Sequence, residues 1–432
     1  MLIRNVEIEG QLSDIRLRGG VIDAIGTLGG SADLDGQGCA LLPALHDHHI
    51  HLNATAAAMN SVACGPPEVN SQADLIKKLR SIKHSQAIRG VGYHQSVAGD
   101  INRGWLDKNA PDIPVRIQHR SGRLWILNSL ALKAYGLSEP ADGRLYDADH
   151  VLQKNKTLPD LEPLIQKLLS WGIGGVTEVT PSNDSEMFAH YQKAARPLKL
   201  SIMGRASLSG IKHADVGSLK LHYHDYNLPA LADLVTDVKA AHGAGRTVAA
   251  HCVTRAELML TLLAIEEAGP APGDRIEHAA IADDEMIAWM KRLDLTIVTQ
   301  PNFVVERANA YLKDVAISEH KNLWRLKSFQ SLKCAAGSDA PFGNANPWKA
   351  MAAATKRPQG LDFGEAVTPE AALKLYTKPA HNAGAKARRI AVGESADMCL
   401  LDRRWAKARL NLSEVKVKQT WIDGVSVFKA RP

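Results

Sequence analysis

Two patterns of apolar and polar positions divide the chain. From Met1 to about Leu42, apolar residues alternate with charged ones in short runs, LIRNVEIEG, DIRLRGGVIDAIG and DLDGQGCALL, broken by Gly-rich turns, which predicts strands. The end of the chain has the same character: SADMCLLD, then VKVKQTWIDGVSVF with an Asp-Gly pair between two strand-like halves. The two ends are expected to share one small β-sandwich, residues 1–43 with 385–432.

Between them, residues 44–384 alternate short apolar runs with longer stretches such as SQADLIKKLRSIKHSQ and LPALADLVTDVKAAHGAG, where apolar residues recur every three to four positions. Strand alternating with helix predicts a parallel sheet. Candidate strands lie at LLPALHDHH, IRGVGYH, GGVTEVT, GSLKLHYH, RTVAAHC, DRIEHAA, LTIVTQP and KCAAGSD, and eight are what a closed (β/α)8 barrel of the TIM type requires. The fold class is therefore α/β. The stretch from Pro111 to Tyr146 does not read as a crossover helix and is taken as an elaboration around the second strand.

Composition excludes several classes. With 432 residues and 45% hydrophobic content the chain can bury a large core without disulfides. Its 52 basic and 46 acidic residues leave a net charge of +6 spread along the chain, so nothing points to nucleic acid. Five cysteines, Cys39, Cys64, Cys252, Cys334 and Cys399, are odd in number and far apart, as expected of free thiols in a reducing, cytoplasmic setting. No apolar run reaches the roughly 18 residues of a membrane span, and the N-terminal alternation does not resemble a signal peptide.

Candidate chemistry concentrates at strand ends. Within the run ALHDHHIH, two pairs, His46/His48 and His49/His51, have the i, i+2 spacing that places side chains on one side of a strand. The second pair sits at the strand's C-terminal edge, where imidazoles can converge on a metal ion. His251 ends RTVAAH, His278 ends DRIEH and Asp339 ends KCAAGSD, and the C-terminal rim is where barrels of this type carry their chemistry. Lys220 in GSLKLHYHD becomes a ligand only if burial strips its proton and the amine captures carbon dioxide as a carbamate, whose two oxygens can bridge two ions.

On these texts the sequence resembles the metal-dependent amidohydrolase superfamily, and within it the branch called amidohydrolase family 3. LLPALHDHHIHL is similar to that family's Pro-Gly-x-x-Asp-x-His-x-His, with Ala44 in place of the usual Gly. The lysine of GSLKLH, AAHCVT, GDRIEHA, VTQPNF, AAGSDAPFGNANPW and the closing VGESADMCLLD and TWIDGVSVF extend the likeness over nearly the whole chain. The resemblance implies two divalent ions, zinc foremost with manganese or iron(II) as alternatives. His49, His51 and Asp339 would hold the more buried ion, His251 and His278 the second, and Lys220, as a carbamate, would bridge them. Relatives of this type are commonly homo-oligomers.

Such a pair of ions lowers the pKa of a shared water from about 15.7 towards about 7, and Asp339 would act as general base and then acid. The expected reaction is hydrolysis of a small molecule at a C–N bond other than a peptide bond: an amide, cyclic amide or carbamate-like group. The alternative is a one-metal deaminase of a cyclic amidine, whose proton-shuttling glutamate would stand where this chain has Thr254; the nearest carboxylate, Glu257, would be turned away by the following helix. An inactive barrel scaffold is the other alternative, disfavoured because all six ligand positions are filled.

For substrate binding, Tyr93 and His94 close the second predicted strand, and His119, Arg120 and Arg123 follow it. Arg120 could pair with a substrate carboxylate, and Arg307 is a further candidate. Trp105, Trp324 and Phe342 are candidate pocket walls, and Glu178 is a candidate acceptor orienting a ligand imidazole.

Overall fold

A computed structural model describes residues 1–66, 68–82, 86–138, 140–147, 151–153 and 158–431. Eight short strands pair in parallel and in chain order: Leu45–Ile50, Ile173–Glu178, Lys199–Gly204, Val216–Leu221, Val248–Cys252, Arg275–His278, Thr296–Thr299 and Lys333–Ala336. The eighth strand meets the first at the C-terminal rim. There the Asp339 N–H donates to the His49 carbonyl at 2.7 Å and the His51 N–H to the Ala340 carbonyl at 2.9 Å, closing the sheet into a (β/α)8 barrel. The first, second, sixth and seventh strands are buried along their whole length, as befits parallel strands covered on both faces.

One predicted barrel strand is misplaced. Ile88–Tyr93 is a strand, but of a separate five-stranded sheet, and the third barrel strand is Lys199–Gly204, which the sequence reading passed over. An alternating apolar run predicts a strand without saying which sheet it joins. The better signal was the helix Ser185–Ala194, capped by Asp184 accepting from the Glu186 and Met187 N–H groups. A strand, a capped helix and then KLSIMG spell a parallel crossover.

The chain divides into two compact units, Met1–Leu52 with Leu161–Pro432, and Asn53–Asp160. The second contains the sheet ordered Arg144–Tyr146, Leu124–Leu127, Val115–His119, Ile88–Tyr93 and Val62–Ala63, with a core of Leu75, Leu79, Ile88, Leu106, Val115 and Ile117. The helix predicted from SQADLIKKLRSIKHSQ covers Gln72–Arg80, and residues 83–85 of that stretch lie outside the described residues.

In the first unit, both chain ends build a β-sandwich. One four-stranded sheet holds Val21–Gly26, Gln11–Arg18, Leu2–Ile8 and Leu34–Asp35, and the other Val425–Lys429, Val417–Ile422, Met398–Leu401 and Leu41–Pro43. Ile3, Ile15 and Ile22 of one sheet share a core with Met398, Leu400 and Trp421 of the other. The expected Asp-Gly turn is present, with Asp423 and Gly424 both at positive φ (50° and 73°), matching a two-residue primed hairpin turn. All five cysteines are buried and free, and burial pushes Cys64, Cys252, Cys334 and Cys399 up to about 12, which keeps them protonated and unreactive. Among the described residues, no helix is long and apolar enough to cross a membrane.

Trp421 is fully buried where the sheets built from the two chain ends meet. Trp421→Ala is expected to cost about 3–5 kcal/mol, seen as a lower midpoint in urea unfolding; an unchanged midpoint would show that the two sheets do not depend on a common core.

Candidate metal centre

The four histidines on and just after the first strand divide between two faces. His46 and His48 point away from the barrel mouth with rings 4.3 Å apart, His46 Nε2 lying 2.9 Å from Thr177 Oγ1, and burial holds both well below the ordinary histidine value. His49 and His51 point into the rim. His49 Nδ1 lies 2.5 Å from Glu277 Oε2, and His51 Nδ1 lies 2.9 Å from Thr180 Oγ1. With Nδ1–H donating to these oxygens, each ring presents a bare Nε2 lone pair, the arrangement in which a metal-ligating imidazole is oriented by its other nitrogen.

Both Nε2 atoms lie 3.3 Å from Asp339 Oδ1. Three acceptors facing one another repel unless a positive charge lies among them. At His49, burial and the Lys220 charge push the pKa down, but Glu277 and Asp339 outweigh them and leave it raised. Asp339 shows the counterpart. Burial pushes its carboxyl up, yet the bonds with His49 and His51 hold it well below the usual carboxylate range.

Asp47 and Gly337 hold this geometry. Asp47 Oδ1 accepts from the His49 N–H at 3.1 Å and the Ser338 N–H at 2.9 Å, tying the first strand to the turn that carries Asp339, and burial pushes Asp47 up to about 6. A Cβ on Gly337 would lie 2.3 Å from His49 N and 2.6 Å from His49 Cβ, so only glycine fits there. His278 (φ 71°), the last residue of its strand, and Asp339 (φ 54°), three residues past its own, both occupy left-handed backbone. At His278 this departure from the extended pattern accompanies two successive residues, Glu277 and His278, that both reach the site.

The remaining candidates surround this group. The His278 ring is 4.7 Å from that of His49 and 4.6 Å from that of His251. His278 Nδ1 lies 2.7 Å from Gln300 Oε1, leaving Nε2 buried and without a hydrogen-bond partner; the buried Lys220 Nζ also has none. Burial lowers the Lys220 amine from its ordinary value, against the pull of Glu277 and Asp339.

Several residues that orient these groups were not read from the sequence. Glu277, fully buried, joins His49 to Arg275, whose Nε and Nη2 donate to it at 2.8 and 3.2 Å while Nη2 also donates to the His48 carbonyl at 3.0 Å. Its adjacency to His278 in DRIEH was the available signal. Thr180, not Glu178, contacts the His51 ring; Glu178 instead accepts from the Leu52 and Thr180 N–H groups and from Asn183 Nδ2. The sequence reading also passed over a third pair with i, i+2 spacing, His222 and His224. Their ligand atoms and those of His251 lie within 4.8 Å of one another, as do those of His49, His51 and Asp339.

The expected diversion of Glu257 is present in detail. Thr254 caps the helix Arg255–Ala268, and Glu257 Oε2 accepts from the Val253 and Thr254 N–H groups while Oε1 accepts from the Asp225 N–H.

Of the substrate-binding candidates, Arg307 stacks on Phe303 with its guanidinium 4.0 Å from the ring centroid and donates to the Phe342 carbonyl at 3.0 Å; the Phe342 ring meets His51 edge-on at 5.6 Å. Trp324 packs into a core with Phe303 and Leu361. Tyr93, His94, His119 and Arg120 gather within the second unit, at the ends of neighbouring parallel strands of its own sheet rather than on a barrel strand. There the Tyr93 hydroxyl donates to the Gly99 carbonyl, the His94 and His119 rings are 5.9 Å apart, and the Arg120 N–H donates to the Tyr93 carbonyl. Burial, with the charges of His94 and Arg120, lowers His119 to about 4. Arg123 pairs with Asp147, and Trp105 packs against the second unit's core.

The profile of the Amidohydrolase family matches residues 34–428. The chain belongs to this family. It is 24% identical over 481 aligned positions to an N-substituted formamide deformylase of Arthrobacter pascens, covering 91% of this chain and 89% of that protein. Among solved structures, an uncharacterized metal-dependent hydrolase of Pyrococcus horikoshii superposes with a TM-score of 0.74 at 19% identity, covering 93% of this chain and 97% of that one. A 5-methylcytosine deaminase of Klebsiella pneumoniae superposes at 0.58 with 17% identity, covering 100% and 98%. At these identities the two structures establish the shared fold alone. In this amidohydrolase-family enzyme the barrel rim carries a His-His-Asp group, and beside it a buried lysine and histidine whose Nζ and Nε2 have no hydrogen-bond partner.

Arg275→Met leaves Glu277 buried without its guanidinium and is expected to cost about 3–5 kcal/mol in denaturant unfolding. Glu277→Gln is expected to weaken metal retention roughly 10–100-fold in chelator competition; equal retention would mean that Glu277 does not orient His49 for a metal.

Proposed function

We propose that this amidohydrolase-family enzyme cleaves a C–N bond other than a peptide bond in a small molecule. His49, His51 and Asp339 would hold one divalent ion, and Lys220, as a carbamate, with His251 and His278 a second. The observation that carries this reading is the convergence of bare acceptors, two Nε2 atoms each 3.3 Å from one carboxylate oxygen, which is stable only around positive charge. Lys220 Nζ and His278 Nε2 fit the same assignment. Each is a buried polar atom without a partner, a condition that costs about 1–3 kcal/mol unless something binds there. The nitrogen-rich ligand set suits zinc, with manganese or iron(II) next.

Bound divalent ions supply an acidified water and polarisation of a carbonyl oxygen. The protein supplies the proton traffic. Asp339, kept ionised by His49 and His51, accepts the proton released as water attacks and delivers it to the departing nitrogen. Glu277 and Thr180 keep the two imidazoles aimed throughout. Hydrolysis is favoured over deamination because Thr254 occupies the shuttle position and both oxygens of Glu257 are committed to backbone N–H groups. The formamide deformylase relative makes N-substituted formamides the first substrates to try.

The test is turnover by the metal-loaded enzyme of formamides, N-acyl amino acids, hydantoins, lactams and cyclic ureas beside the Asp339→Asn variant. The variant is expected to lose about 10²–10⁴-fold in kcat, and equal turnover would refute the role given to Asp339. Exhaustive chelation is expected to abolish turnover of the same substrate; a rate unchanged by metal removal would exclude metal-assisted hydrolysis.

A further inference from the structure

The base of the barrel, the end opposite the histidine rim, carries a cleft of about 420 Å³. Its walls are the turn before the seventh strand, the start of the eighth, and the segment 378–386 that leaves the barrel for the sandwich. Four lysines line it, Lys291, Lys333, Lys378 and Lys386, with one carboxylate, Asp294. That carboxylate is already committed, since Asp294 Oδ2 accepts from Lys333 Nζ at 2.5 Å. Among the described residues, the ammonium groups of Lys291 and Lys386 have no ion-pair partner.

Backbone holds these lysines together. The helix Asp284–Arg292 ends with the Leu295 N–H donating to the Met290 carbonyl at 3.1 Å and Asp294 at a positive φ of 55°, which turns the chain into the seventh strand and leaves Lys291 at the cleft's edge. On the other side, the segment 378–386 is closed at its neck. There the Arg388 N–H donates to the Thr377 carbonyl at 2.8 Å and Lys378 Nζ to the Ala385 carbonyl at 2.7 Å, which leaves that ammonium two further donors. Gly384 seats the loop on the barrel: a Cβ there would lie 2.6 Å from Thr296 Oγ1 and 3.2 Å from Lys333 Cδ. Three separate parts of the chain thus present ammonium groups to one opening.

We propose that this cleft binds a small polyanion with two linked phosphoryl groups, of the pyrophosphate type, at the end of the barrel away from the metal centre. A cleft of this volume takes a small molecule rather than a lone ion. Four ammonium groups against one carboxylate repel one another, and an anion among them removes that repulsion more completely the more charge it carries. Lysine offers phosphoryl oxygens a compact charge with three rotatable donors. Burial lowers the half-buried Lys378 amine from its ordinary value, so this group gains from a counter-charge beside it. The lining has no aromatic ring on which a nucleobase could stack, so the phosphoryl groups themselves are what it recognises. The inference is independent of the metal-ligand assignment and of the reaction at the rim.

Pyrophosphate is the probe, titrated calorimetrically into the full-length, metal-loaded protein at about 0.15 M salt, where non-specific attraction is screened. Because pyrophosphate also takes up metal ions, the comparison is between proteins with the same rim. Wild type is expected to show one saturable site. Lys291→Gln/Lys386→Gln is expected to weaken it at least about tenfold, while Lys77→Gln/Lys108→Gln, which removes the same charge from exposed positions of the second unit, leaves it intact. Lys291 and Lys386 are exposed, so melting temperature without ligand and turnover at the rim are expected to match wild type. Orthophosphate is expected to bind at least about tenfold more weakly than pyrophosphate. The absence of a saturable site, its survival in the Lys291/Lys386 variant, or an equal loss in the Lys77/Lys108 control would overturn the inference, and orthophosphate binding as tightly as pyrophosphate would overturn the two-phosphoryl assignment. None of these outcomes bears on C–N hydrolysis, which stands or fails on the substrate screen.

Discussion

A carboxylate with no access to water fixes the rim of this barrel. Glu277 is fully buried between the Arg275 guanidinium and the His49 ring. Burial alone would push it toward the neutral acid, and Arg275, Lys220 and His49 together reverse that, holding it well below the ordinary glutamate value. A buried ion pair of this kind contributes little net stability over an apolar core, but removing one member strands the other. The sixth strand must therefore keep its register against the fifth, where Glu277 lies opposite His251, or the network is lost. The orientation of His49, and with it the meeting of His49, His51 and Asp339, follows from that register.

The same charge balance makes metal binding part of the fold's energetics. A cation and a proton compete for the same ligand lone pairs, so the affinity of such a group for metal would rise with pH. Rigidity around that place is built from backbone. Asp47 ties the first strand to the turn after the eighth, Gly337 permits their close approach, and left-handed conformations at His278 and Asp339 are held by the closed barrel. Such conformations are sparsely populated by non-glycine residues and concentrate where side-chain aim matters more than backbone comfort.

The alternation of strand and helix, and the position of histidines and aspartate at strand ends, were legible because both are local properties of the text. His49, His51 and Asp339 were found because each ends an apolar run, and the structure brings their ligand atoms together. What was not legible depends on pairing partners far apart in sequence. IRGVGYH and KLSIMG carry the same alternating signal, and only tertiary pairing sends the first to the second unit's sheet and the second to the barrel. The role of Glu277 is not legible in the text beside His278, because its partner His49 is 228 positions away. Glu178 fits the same rule in reverse: its position at a strand end suggested a contact with a ligand ring, but its oxygens are taken by nearby backbone and Asn183, and the neighbouring Thr180 makes the contact. His222 and His224 have the same i, i+2 spacing as His49 and His51 but lie past the end of their strand, and only the folded chain brings them to His251.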